Sequence, residues 1–244
     1  MADRAFGIDV SRYQGKTNWD VVKAHSPKVV FAGIRATVSW GYRDSWFAHN
    51  WEEARRVGIL RMAYHVVYPA ENPNRQVDNF LATVGTDFGE LPLVLDVELD
   101  QGQSARNIAN NVLTHAQLIE ARTGRRPIIY SRASWVDQFL AGATWLNQYD
   151  WWLALYLQTA DEHPGPPKLP RGVTNWLIHQ TTSHGAPIGV ESLQLDYDRW
   201  NGDDNAVYRY AGVTQPEPEP TWEEAIDAWA RTKGYNGPPP PDRS

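Results

Sequence analysis

Short apolar runs alternate with helix-patterned stretches five times along this chain, and three more apolar runs follow with no helical stretch between them. The first five runs are residues 6–11, 29–37, 59–67, 93–98 and 127–131, each rich in Val, Ile, Leu or aromatic side chains. Between them the apolar residues fall at helical spacing. Val77, Phe80, Leu81 and Val84 share one face, and Ile108, Val112, Ala116 and Ile119 share another, with Gly124 as a stop signal. Thr17 and Asp20 have the spacing of a capping box and predict the start of the first helix. The last three runs are residues 151–156, 176–180 and 193–200. Strands that alternate with helices make a mainly parallel α/β sheet, and eight of them suffice to close a barrel. The competing fold is an open doubly wound sheet, but no Gly-x-Gly-x-x-Gly follows the first strand to support its dinucleotide-binding form.

The barrel is expected to occupy residues 1–212. Residues 213–220 then read as a Pro/Glu linker, and residues 221–244 as a short helix and an extended Pro-rich tail. In that last segment Thr221-x-x-Glu224 has capping-box spacing, and Trp222, Ala225, Ile226 and Trp229 form an apolar stripe. Half of the net charge of −6 lies from Gln215 onward, so the barrel itself is nearly neutral. Such a surface does not suit nucleic acid, whose binding depends on Lys and Arg at phosphates. No apolar run approaches the roughly 20 residues of a membrane helix, so no membrane partner is expected. Without cysteine there is no thiolate nucleophile, thiolate metal site or disulfide.

The run at residues 93–98 ends in two acids, Asp96 and Glu98, two positions apart and so on one face of a strand. Burying one carboxylate is costly, and a second beside it raises the pKa of at least one. In a parallel barrel the site lies at the C-terminal ends of the strands. The polar residues there are Asp9, Arg35 or Thr37, Tyr64 and His65, Asp96 and Glu98, then Tyr130, Tyr156, Gln180 and Asp196. Four acids at one mouth, with aromatic faces around them, match what glycoside hydrolysis requires. One carboxylic acid protonates the leaving oxygen and further negative charge stabilises an oxocarbenium-like transition state. Twelve Trp and eleven Tyr supply sugar-stacking surface.

These residues also resemble the N-acetylmuramidases (lysozymes) of glycoside hydrolase family 25, phage endolysins among them. The resemblance rests on Gly7-Ile8-Asp9-Val10-Ser11 with Tyr13-Gln14-Gly15, Ala36-Thr37 with Tyr42-x-Asp44-x-x-Phe47, and Ala63-Tyr64-His65. It continues through Leu95-Asp96-Val97-Glu98, Pro127-x-Ile129-Tyr130-Ser131, Trp152-Leu153-Ala154-x-Tyr156, Trp176-x-x-x-Gln180 and Leu195-Asp196-Tyr197-Asp198-x-Trp200. It implies an irregular TIM-like barrel of five β–α units followed by three strands, and cleavage of the β-1,4 bond between N-acetylmuramic acid and N-acetylglucosamine in bacterial peptidoglycan. It further implies Glu98 as general acid, Asp9, Asp96 and Asp196 as supporting acids, and Tyr64 as a ring on the substrate. Tyr130, Tyr156, Gln180 and Arg35 are the other expected substrate contacts. Arg35 stands where the family usually has Lys, Val38-Ser39 where it usually has Glu-Gly, and Thr181 where it often has an aromatic residue. These departures bear on substrate detail more than on the reaction.

Three other readings stand beside this one. Asp96 and Glu98 could form structural ion pairs with arginines. Four acids plus His65 could hold a divalent cation for phosphodiester cleavage. A barrel of this fold could bind glycan without cutting it. On the favoured reading no cofactor or metal is expected, and the chain acts as a monomer on the wall after release from the cytoplasm, because residues 1–7 show no secretory pattern. The tail is expected to pack, to target the wall or to mediate assembly. Trp151 and Trp152 point opposite ways, so at most one reaches the cleft. Asp198 shares a face with Asp196 and stands behind it.

Overall fold

The computed structural model describes residues 4–157, 159, 161–216 and 222–234, and the chain divides into two units, Met1–Val213 and Thr214–Ser244. In the first unit nine strands form one sheet: β1 (Phe6–Val10), β2 (Val29–Val38), β3 (Tyr42–Arg43), β4 (Leu60–Val66), β5 (Val94–Asp96), β6 (Ile128–Arg132), β7 (Trp151–Ala154), β8 (Ile178–Gly185) and β9 (Leu195–Trp200). Their order is β1-β9-β8-β7-β6-β5-β4-β2-β3, and β1 also pairs with β2, which closes eight strands into a barrel. From β1 round to β8 the pairings are parallel, while β9 runs antiparallel to both neighbours. This is the irregular TIM-like α/β barrel expected, with β3 a two-residue hairpin arm on the end of β2.

Outside the barrel lie α1 (Trp19–Lys23), α2 (Phe47–Arg56), α3 (Pro73–Val84), α4 (Ala105–Thr123) and α5 (Ala133–Phe139). Their starts follow local chemistry. Asn72 accepts from the amides of Asn74 and Arg75 with Pro73 at the first helical position, and Ser104 caps α4. The first helix departs from expectation: Asn18, not Thr17, accepts from the amides of Asp20 and Val21. A further helix, α6 (Asp204–Ala211), follows β9 and has no counterpart in the sequence reading. It is short and mostly polar, with only Val207 and Tyr208 buried, so its periodicity is faint.

The alternation of strand side chains divides the apolar residues into two cores. One lies between barrel and helices and includes Ile8, Ile34, Leu95, Phe80, Val112 and Trp151. The other fills the lumen with Phe31, Met62, Ile128, Trp152, Trp200, Val207 and Tyr208. Space in the lumen is tight: a Cβ on Gly33 would stand 2.8 Å from the Trp152 ring and 3.0 Å from the Asp9 Cβ.

In the second unit α7 (Trp222–Thr232) carries exposed Trp222, Ile226 and Trp229. The expected cap at Thr221 and the proline run at 238–241 lie outside the described residues. No described helix is long and apolar enough to cross a membrane.

Candidate active site

At the C-terminal end of the parallel strands the barrel opens into a cleft of about 400 Å³. All nine residues singled out as catalytic or substrate-binding line it: Asp9, Arg35, Tyr64, Asp96, Glu98, Tyr130, Tyr156, Gln180 and Asp196. The strand that carries the central pair is shorter than its sequence pattern, ending at Asp96. Pairing nonetheless persists one residue further. The Val97 amide donates to Tyr130 O at 3.0 Å and the Val97 carbonyl accepts from Ser131 Oγ at 2.6 Å. The extended course carries Glu98 to the cleft beside Asp96.

Asp196 reaches the mouth by a different route from the one its sequence position suggests. Because β9 is antiparallel, its first turn of residues lies at the rim, and Asp196 pairs in register with Asp9 of β1. It stands at the start of its strand rather than at a C-terminal end. Asp198 pairs with Gly7, deeper in the lumen, where it is fully buried and accepts from Trp152 Nε1 at 2.8 Å.

Two candidates leave the site. The register slips between Arg35 and Thr37, so Arg35 faces the cleft while Thr37 turns outward to contact His65 Nδ1 at 2.7 Å. His65 is buried against Phe80 and His115, outside the lumen, and burial pushes its pKa down to about 3. It is a neutral packing residue. His179 likewise faces away from Gln180, bonding Leu155 O at 2.9 Å, with burial lowering it to about 4. Among the described residues no three His, Asp or Glu side chains are grouped so as to share a metal ion.

A hydrogen-bonded chain crosses the floor. Tyr130 donates from its hydroxyl to Gln180 Oε1 at 2.8 Å, and Gln180 Nε2 donates to Asp9 Oδ2 at 2.7 Å. Burial pushes Asp9 well above the usual carboxylate range, with the charges of Asp196 and Asp198 adding to it and Gln180 opposing it. Burial and then Glu98 raise Asp96 in the same way, and its Oδ1 is buried with no hydrogen-bond partner among the described residues. Asp198 is raised by burial and by Asp196, and burial pushes Asp196 up to about 7. Tyr64 and Tyr130 are raised by burial too, and so remain hydroxyl donors. The floor acids are thus all harder to ionise than free carboxyls, while Glu98 sits less buried, 3.6 Å from Arg132. At that distance the pair makes no hydrogen bond, and a tight structural ion pair is not what holds Glu98.

Sequence reasoning did not assign Tyr13, Gln14 and Tyr68 to the site, yet they line the cleft, as does Trp152. Trp152 was one of two adjacent candidates; it lies across the floor, edge-on to Tyr130 with ring centroids 5.0 Å apart, while Trp151 is in the outer core. Tyr13 and Gln14 belong to a single helical turn at Arg12–Gln14 after β1. Buried Asp44 fixes that turn, accepting from the Arg12 amide at 3.0 Å and from Arg35 Nε at 2.7 Å.

Residues 8–190 match the family described as glycosyl hydrolases family 25. The chain is 35% identical over 199 residues to the uncharacterized protein YegX of Escherichia coli O6:H1, covering 80% of this chain and 69% of that one. It is 32% identical over 207 residues to lysozyme M1 of Streptomyces globisporus, covering 80% and 67%. Among solved structures it is similar to the bacterial lysozyme from Streptomyces coelicolor, with a TM-score of 0.76 at 29% identity over 86% of this chain and 98% of that one.

Proposed function

The chain belongs to glycosyl hydrolase family 25, and on that basis we propose that it hydrolyses bacterial peptidoglycan at the β-1,4 bond from N-acetylmuramic acid to N-acetylglucosamine, with Glu98 as general acid. The observation that carries this reading is the convergence of Asp9, Asp96, Glu98 and Asp196 on one aromatic-walled cleft. Glu98, at the edge of the floor, is the acid best placed to meet a glycosidic oxygen entering from solvent and to give it a proton as the bond breaks. Asp96, buried with one oxygen unpartnered, is suited to hold a polar group of the sugar, such as its acetamido substituent. Asp9 and Asp196 supply negative charge facing the ring as it becomes cationic. Tyr64, Tyr130, Tyr156, Gln180 and Arg35 supply ring faces and hydrogen bonds for the sugars.

The test is digestion of purified peptidoglycan, with and without chelator, followed by identification of the new reducing ends. Muramic acid ends that vanish in Glu98→Gln support the proposal. Loss of activity with chelator would instead favour a metal-dependent reaction, and tight wall binding without cleavage would favour a glycan-binding barrel.

A further inference from the structure

One side of the cleft mouth carries arginines that no carboxylate among the described residues satisfies. Several arginines elsewhere on the barrel are matched, Arg61 with Asp87 and Glu90, Arg56 with Asp20 and Glu53, and Arg199 with Glu162. Arg12, Arg43 and Arg75 are exposed, and among the described residues none has a carboxylate within 4.0 Å. Asp44, next to Arg12 in space, spends its oxygens on backbone amides and on Arg35.

The unmatched guanidiniums are held in place. Arg12 lies over the rings of Tyr13 and Tyr42, 5.0 and 5.2 Å from their centroids, and Arg75 lies 4.1 Å over the Trp40 ring. The loop between β2 and β3 that presents Trp40 is itself pinned. Asn79 of α3, buried, donates to Ser39 O and Tyr42 O at 3.1 and 3.2 Å, and accepts from Arg43 Nε at 3.2 Å. Ser39 adopts a φ of 52°, a left-handed conformation unfavourable for a non-glycine residue, and its amide is held by Val66 O at 3.0 Å. The rim adjoins the cleft directly, because Tyr13 and Val38 line the cleft and Val38 pairs with Tyr42.

We propose that this rim, with Arg12 and Arg75 as its charged contacts, binds the carboxylates of the peptide that the glycan substrate carries. The inference rests on the proposed function and extends it to the part of the substrate outside the sugar subsites. A muramic acid residue bears its peptide through a lactyl ether on the ring, so a glycan lying in the cleft sets an anionic chain at the mouth. Cations at the rim attract such an anionic substrate and orient its approach. Arginine held flat on an aromatic face meets a carboxylate with its paired N–H groups already arranged.

The experiment compares the full chain with the Arg12→Gln/Arg75→Gln double variant on one peptidoglycan preparation freed of phosphate polymers, before and after amidase removal of its peptides. Expected is a KM about tenfold higher for the double variant on the peptide-bearing wall, with kcat unchanged, and equal KM values on the stripped glycan strands. A KM change of the same size on both substrates, or a fall in kcat on both, overturns the proposal. A second arm needs no turnover. Sedimentation binding of the Glu98→Gln chain, with and without the two rim substitutions, should show a salt-sensitive preference for peptide-bearing over stripped strands that the rim substitutions abolish. Absence of that preference also overturns it, whereas a wild-type chain that binds but never cleaves counts against the proposed function alone.

Discussion

Gln180 donates its side-chain amide to Asp9 across 2.7 Å, joining the two strands that flank the antiparallel β9. The same amide accepts the Tyr130 hydroxyl on its other end, so one neutral side chain fixes both the acid and the phenol of the floor. This hydrogen bond is what opposes the rise of the Asp9 pKa. In Gln180→Ala the Asp9 carboxyl should therefore rise further, read by carboxyl-carbon NMR titration. Turnover on peptidoglycan should fall by about 10- to 100-fold, an effect of the size seen when a group assisting charge development is displaced.

Asp96 should separate stability from activity. A buried carboxyl with an unpartnered oxygen is a cost to the folded state, and Asp96→Asn removes its capacity for charge without changing its shape. Thermal unfolding should show a Tm equal to or above that of the parent chain. Turnover should nevertheless drop by at least about 100-fold if the carboxyl handles a substrate polar group during the reaction. A variant that keeps full activity would remove Asp96 from the site's chemistry.

Stability should have its own pH window. Asp196 is pushed up to about 7 by burial, so the folded chain holds that proton after the unfolded chain has released it near the ordinary 3.8. Stability therefore falls as pH rises from about 4 to about 7, with Asp9, Asp96 and Asp198 acting in the same direction. At the other end Asp87 and Glu90, lowered by Arg61, and Glu162, lowered by Arg199, lose their stabilisation as pH falls below the usual carboxylate range. Denaturant titrations should place maximum stability on the mildly acidic side of neutrality, and Asp196→Asn should raise stability at about pH 8 more than at about pH 5.

Gly33 should tolerate no side chain. The Cβ of alanine there would meet the Trp152 ring and the Asp9 Cβ at once, and neither is the end of a flexible chain. Gly33→Ala should destabilise by about 1–3 kcal/mol, as overpacking does. Because Trp152 is bonded to Asp198 beneath and lines the cleft above, activity should fall along with stability.

β8 and β9 are mostly polar, but most of the barrel was legible because its strands through β7 are largely apolar runs, and buried parallel strands need both faces apolar. β3 was not, since two residues carry no period, and α6 was not, since only two of its side chains enter the lumen. The acids of the site were legible by position, yet only the reversed direction of β9 explains why Asp196, at the beginning of a strand, joins acids at the ends of others. The choice between Arg35 and Thr37 was left open by the sequence, and the slip between them decides it, interrupting the alternation that would have kept both on one face. Tyr13 and Gln14 lie in a single helical turn and Tyr68 in a loop, too short or irregular for a period to tell inward from outward.

That reversal of β9 has one more effect. The strand brings the chain back to the end of the barrel where β1 starts, and Ala5 bonds both Gly202 and Trp200 there. The first and last strands thus begin and finish side by side, on the face opposite the cleft. With Ala5 and Gly202 hydrogen-bonded neighbours, the barrel is a natural candidate for circular permutation, with new ends opened in a helix-side loop. Cargo joined directly to the barrel before Ala5 would hang from the face opposite the cleft and leave the glycan path free.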